Sequence, residues 1–122
     1  MWATPWEISR AKFMPYEFFR SISRLAKIGP YDLIIVDPPS FQPGSFVAKS
    51  DYPKLIRKLP RLLRKDALIM AMLNAPNLDE DFIIDSFAEF LPSSRYIERL
   101  ENSAAFPDVD PQRKLKMLVF SL

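Results

Sequence analysis

Residues 31–41, Tyr-Asp-Leu-Ile-Ile-Val-Asp-Pro-Pro-Ser-Phe, constrain this chain more than any other stretch. Leu33 to Val36 is an unbroken apolar run, and Ile34, Ile35 and Val36 are β-branched. A run without alternation predicts a strand buried on both faces of a parallel sheet. Asp37 closes it. Pro38 and Pro39 cannot donate to a ladder, and each forces the residue before it toward extended geometry. A rigid loop therefore leaves the carboxyl end of the strand, carrying a carboxylate, the Ser40 hydroxyl and the Phe41 ring. Ligands of open α/β sheets bind at that end.

The remaining composition narrows the chemistry. The chain has 122 residues, 48% hydrophobic and 26% charged, which is enough for one globular domain with a modest core. It has no cysteine and no histidine. That removes disulfides, thiolate nucleophiles, cysteine-ligated zinc and the commonest general base, so no metal centre is expected. Seventeen Lys and Arg stand against 15 Asp and Glu, which permits an anionic partner without requiring one. No apolar run approaches the length of a membrane span, and no signal-peptide pattern opens the chain, so a soluble, cytoplasmic protein is expected. There are 12 prolines but only two glycines, Gly29 and Gly44. A glycine-rich strand-to-helix turn that would cradle a nucleotide is therefore missing.

Taken in order, Thr4-Pro5-Trp6-Glu7 predicts a short helix start. A second helix is expected from about Pro15, with Phe18, Ile22 and Leu25 as its apolar stripe and Gly29-Pro30 as its stop. The strand from Tyr31 follows, then a turn-rich loop over Gln42 to Phe46. From about Asp51, Tyr52, Leu55, Ile56, Leu59, Leu62 and Leu63 share one helical face, with a kink or break at Pro60. Lys54, Arg57, Lys58 and Arg61 lie on the other side. That basic face reads first as ordinary solvated surface and secondly as a footprint for RNA phosphates. Ala67 to Leu73 is a second buried strand ending in Asn74. Asn77 to Glu80 offers a helix cap, and Phe82, Ile83, Ser86, Phe87 and Phe90 form a helix face ended by Pro92. Arg95 to Leu100 reads as an edge strand, residues 104–112 as a loop, and Lys114 to Leu122 as the last strand, antiparallel to the one before. Alternating strands and helices imply a mostly parallel α/β sheet.

Asp37-Pro38-Pro39-Ser40-Phe41, reached by a strand beginning Tyr-Asp-Leu, resembles motif IV of class I S-adenosylmethionine-dependent methyltransferases. The strand and helix order over residues 31–122 is similar to the closing part of that fold. The nearest resemblance is to the rRNA large-subunit methyltransferase K/I type. It implies a Rossmann-like sheet, an S-adenosylmethionine cofactor and an RNA base as substrate. It implies that Asp37 and the Pro38 carbonyl accept from an amino group of the base and that Phe41 stacks on it. Pro39, Ser40 and Asn74 are the accompanying substrate-binding candidates. A fixed acceptor and a stacking ring are what a flipped-out base requires. The plain alternatives are a loop cap or ion pair for Asp37, core packing for Phe41 and a helix cap for Asn74.

The chain also departs from that family. The upstream half, with its glycine-rich cofactor loop and ribose-binding acid, has no counterpart here. Residues 1–30 read as a helical segment and residues 31–122 as the C-terminal half of one catalytic domain. Without cysteine, the cytosine-C5 branch is excluded for this polypeptide; amino-directed and guanine-N7 chemistry are not. Two alternatives to an active methyltransferase remain at this point: an inactive truncated one, and a non-enzymatic RNA- or protein-binding module. Without the upstream half, the strand at Leu33 to Val36 becomes an exposed sheet edge, and a homodimer through that edge is expected.

Overall fold

The computed structural model describes residues 11–12, 14–15, 17–38, 41–42, 46–74, 78–101 and 115–122. The expected helix start at Thr4 and the loop at 104–112 lie outside them. Helix α1 (Phe18–Ile28) begins three residues later than expected, because Glu17 caps it: its carboxylate accepts from the Phe19 and Arg20 amides at 2.9 and 3.1 Å. Gly29 ends it as expected, its amide donating to the Leu25 carbonyl at 3.0 Å. Strand β1 (Tyr31–Val36) follows directly. The turn-rich loop contains a small hairpin, β2 (Phe41–Gln42) against β3 (Phe46–Val47), which the sequence reading missed.

Helix α2 (Ala48–Lys58) starts three residues before Asp51. Asp51 is its capping acid, accepting from the Val47 amide at 2.7 Å. The break at Pro60 is present as a 3-10 turn over Leu59–Arg61. Strand β4 (Leu63–Leu73) is longer than the Ala67 to Leu73 core of the expectation. Helix α3 (Glu80–Phe90) is capped by Asp79, two residues after Asn77, with its carboxylate accepting from the Phe82 amide at 3.2 Å. Strands β5 (Arg95–Leu100) and β6 (Lys116–Ser121) close the chain.

The four long strands form one sheet in the order β1-β4-β6-β5. β1 is parallel to β4, while β6 runs antiparallel to both β4 and β5. Three of the four strands therefore share a direction, and the fold is the α/β sheet with an inserted antiparallel last strand that the sequence implies. Its core lies on one face only. Tyr52, Leu55 and Ile56 of α2 and Ile83 and Phe87 of α3 pack on Ile69, Ala71, Leu73, Leu118 and Phe120, with Phe18 and Phe19 of α1 alongside. Among the described residues, no helix packs on the face of opposite parity, where Leu68 is exposed.

That openness corrects the reading of β1 as buried on both faces. Leu33 is 51% and Ile35 57% exposed, whereas Val36 is buried. The apolar run was legible, but its burial depended on neighbours that a strand pattern cannot supply. β1 is an outer strand of the described sheet.

Between Tyr31 and Leu33 the pairing with β4 jumps from Leu63 to Leu68. This bulge carries Asp66 at φ 64°, in the left-handed region. Left-handed backbone costs an L-residue about 1–2 kcal/mol and glycine almost nothing. Asp66→Val is therefore expected to lower stability by about 1–2 kcal/mol, and Asp66→Gly to leave it unchanged or raise it. Thermal melts of the two variants check this; a glycine variant less stable than the valine variant would contradict it. Among the described residues, no helix is long and apolar enough to cross a membrane.

Candidate functional site

Strand directions gather the candidates at one end. The carboxyl ends of β1, β4 and β5 and the amino end of β6 lie along the same side of the sheet. Val36 pairs with Ala71, so β1 stops two residues short of the end of β4 at Leu73. Asp37 and Pro38 leave into that step. Asp37 is exposed, Pro38 half-buried, and Asn74 is exposed beyond Leu73. Phe41 opens β2, opposite Val47, the residue that caps α2. The backbone of Phe41 is thus held at the start of α2, on the same side of the sheet as Asp37. Pro39, Ser40 and the side chain of Phe41 lie outside the described residues.

Two residues that the sequence reading gave no chemical role stand behind this loop. Tyr52 is fully buried, and its hydroxyl donates to the Met72 carbonyl at 2.9 Å, tying α2 to the last turn of β4. Its ring meets Phe82 edge-on at 6.4 Å, tying α2 to α3 as well. Burial pushes its phenol well above the ordinary value, and the negative charge of Asp37 pushes it the same way. Tyr52 is therefore a neutral strut set close to Asp37, with no capacity as a base. Lys116 is the other. It is 1% exposed, lies on β6 opposite Leu73, and brings a buried lysine to the same end of the sheet as Asn74. The period-2 series Lys116, Leu118, Phe120 was the available signal, since it puts the lysine on the inward parity.

The basic residues fall elsewhere. α2 begins at the loop end and rises about 16 Å over its length. Lys58 and Arg61 are consequently near the opposite end of the sheet, where the Tyr31 amide donates to the Leu62 carbonyl at 2.8 Å. Lys54 is within 3.6 Å of the Asp51 carboxylate, and the Arg57 guanidinium lies over the Phe90 ring at 4.3 Å. All four are exposed, but they do not converge on Asp37. Acids cluster at the loop end instead: Asp37, Asp51, Asp79 and Glu80, the last paired with Arg99 at 3.6 Å.

Residues 3–121 match the model of a family described as S-adenosylmethionine-dependent methyltransferases. No curated protein matches the sequence. Among solved structures, the chain is similar to SMU.776, named as a methyltransferase and complexed with SAH. The two share 26% identity and a TM-score of 0.76 over 88% of this chain and 30% of that one. A SAM-dependent methyltransferase from Streptococcus mutans aligns with TM-score 0.71 and 26% identity, over 85% of this chain and 29% of its own. The chain thus spans about a third of the length of the structures it resembles.

The residues present do not build a cofactor site by themselves. Of the two glycines, Gly29 caps α1 at the amino end of β1, away from Asp37, and Gly44 lies outside the described residues. Nothing in the sequence forms a glycine-rich turn at the carboxyl end of a strand, where backbone amides would grip an adenosyl group. The chain belongs to the family of S-adenosylmethionine-dependent methyltransferases.

Proposed function

We propose that this chain supplies the substrate-facing part of a methyltransferase domain acting on a base of RNA, an rRNA base by its resemblance to the large-subunit methyltransferase K/I type. Asp37 and the Pro38 carbonyl orient an exocyclic amine or ring nitrogen, Phe41 stacks on the base, and Pro39, Ser40 and Asn74 border it. The observation that carries this reading is the Asp37-Pro38 pair, with Asp37 exposed and Pro38 half-buried, released at the carboxyl end of β1 and backed by the Tyr52–Met72 strut. A carboxylate held on a proline-stiffened loop is a fixed acceptor, and a fixed acceptor orients an amine without first having to be ordered itself. Lys54, Arg57, Lys58 and Arg61 then contact phosphates flanking the base, at a distance from it set by α2. The partners in this reading are an RNA and a second copy of the chain.

A gel-shift titration with single-stranded RNA tests it. Phe41→Ala is expected to lose about 1–3 kcal/mol of binding energy, the usual worth of one stacked base. Asp37→Ala should weaken binding with the melting temperature retained, because Asp37 is exposed. If both variants bind as the parent does, while Arg57→Glu with Arg61→Glu abolishes binding, the loop reading fails and a basic-face RNA-binding module replaces it.

A further inference from the structure

The small hairpin that carries Phe41 cannot hold itself in place. β2 and β3 have two residues each, pairing Phe41 with Val47 and Gln42 with Phe46. An isolated two-stranded pair is marginal at best in water. Its position comes from Val47, where β3 passes directly into α2. The start of α2 is in turn poorly held by its own backbone. Val47 stands at the N-cap and makes no side-chain capping bond. Pro53 lies inside the helix and cannot donate to the carbonyl of Lys49, four residues back. Side chains hold this turn instead. The Asp51 carboxylate accepts from the Val47 amide through Oδ2 at 2.7 Å, and the adjacent Tyr52 donates to Met72 of β4 at 2.9 Å. The Ser50 hydroxyl adds a longer contact to the Val47 carbonyl, at 3.4 Å.

We infer that Asp51 is a positioning residue for the base-stacking ring: its carboxylate fixes the Val47 amide and, through the Phe41–Val47 pair, the backbone that carries Phe41. The two carboxylate oxygens are divided. Oδ2 takes the backbone amide, and Oδ1 faces the exposed Lys54 ammonium at 3.6 Å. A carboxylate on a backbone amide makes a charge-assisted bond, roughly twice as strong as a neutral one. Asp51 and Tyr52 are neighbours, so one turn of α2 serves both parts of the site. The Tyr52 strut stands behind Asp37, and the Asp51 clip sets Phe41. A ring fixed before the base arrives gives up little freedom on stacking, so more of the stacking energy appears as affinity. The inference rests on the reading of Phe41 as the stacking ring given above.

A polyanionic ligand gives the test a sign. Asp51→Ala removes a negative charge, which by itself would tighten the binding of single-stranded RNA. Loss of the clip acts the other way. Asp51→Ala is therefore expected to weaken binding about tenfold in a gel-shift titration, with an unchanged circular dichroism spectrum. Asp51→Asn also loses the charge but keeps an oxygen that can accept from Val47, so it should bind at least as tightly as the parent. In a Phe41→Ala background, Asp51→Ala should have no further effect, because no ring is left to position. A readout without RNA checks the geometry: the Val47 and Phe41 amide resonances should shift in Asp51→Ala, and that of Phe120 on β6 should not. Five results would overturn the inference and leave the loop reading standing. They are unmoved Val47 and Phe41 resonances, undiminished binding by Asp51→Ala, a full further loss in the Phe41→Ala background, an Asp51→Asn chain as weak as Asp51→Ala, and an Asp51→Ala chain that no longer folds. If the parent binds no RNA, or Phe41→Ala binds as the parent does, the loop reading fails and this inference falls with it.

Discussion

Phe120→Ala is expected to lower the stability of this fold by about 3–5 kcal/mol, the largest loss from a single substitution among the described residues. Phe120 is 1% exposed on β6, an inner strand of the sheet. Its ring stacks on Phe87 of α3 at 3.9 Å between centroids with an 11° interplanar angle, and Tyr96 of β5 lies against it at 5.4 Å. It is thus the contact that joins a helix to two strands. Truncation removes the transfer energy of the ring and leaves a cavity that flat neighbours cannot fill. Among the described residues the helices pack on one face of the sheet, so no second described layer shares the loss. A net stability of typical size, about 5–15 kcal/mol, would be reduced by a large fraction. The neighbour Val119 points to the open face and is half-buried. Val119→Ala should cost about 1 kcal/mol or less. Urea midpoints at constant slope separate the two; equal losses would show that the open face is covered in solution by something that packs as tightly as α3.

The strand and helix order was legible because each element carries its own period. Tyr52, Leu55 and Ile56 repeat at helical spacing and are buried on α2, whereas Leu59, Leu62 and Leu63, which continue that spacing, are buried in the 3-10 turn, just after it and at the start of β4. Lys116, Leu118 and Phe120 repeat at strand spacing. Helix starts were less legible. Glu17 and Asp79 cap α1 and α3 through side-chain hydrogen bonds, and a carboxylate at either of two or three nearby positions could have done so. The burial of β1 could not be read at all. Leu33 to Val36 has the composition of a strand flanked on both faces, and that composition records the neighbours a fold was built for, whether or not this chain brings them.

At the site, the loop was legible and its support was not. Asp37-Pro38 announces itself because two prolines after an apolar run leave the chain no regular continuation. Tyr52 was counted as one more apolar position on α2, since a phenol ring fits a helical stripe as well as leucine does. Its hydroxyl matters only because β4 happens to end with the Met72 carbonyl 2.9 Å away. The basic run at Lys54 to Arg61 was legible as an exposed face but not in its direction. Helical spacing put these cations on one face, but only the orientation of α2 reveals that this face leads away from Asp37.

Tyr52→Phe is expected to show a stability difference that changes sign with pH. At neutral pH the variant should be less stable by about 1–3 kcal/mol, because the Met72 carbonyl loses the donor that the fully buried Tyr52 supplies. The phenol of Tyr52 has its ordinary value of 10.0 in the unfolded chain, and burial followed by the charge of Asp37 raises it in the folded one. A raised value means that the folded state keeps a proton the unfolded state gives up. Stability from this group is then complete below pH 10 and falls as pH rises above it, by about 1.4 kcal/mol for each unit until the folded phenol also ionises. Phenylalanine has no such proton, so its variant escapes this loss. The deficit of Tyr52→Phe should shrink from about pH 10 upward and vanish within about one to two units, beyond which the variant is the more stable protein. Taking the difference between parent and variant at each pH cancels the lysines and the other tyrosines, which titrate in both. Urea unfolding at pH 8, 10 and 11 measures it, and a difference that stays constant across that range would mean that Tyr52 ionises in the folded state as freely as in water, contrary to its burial beneath Asp37.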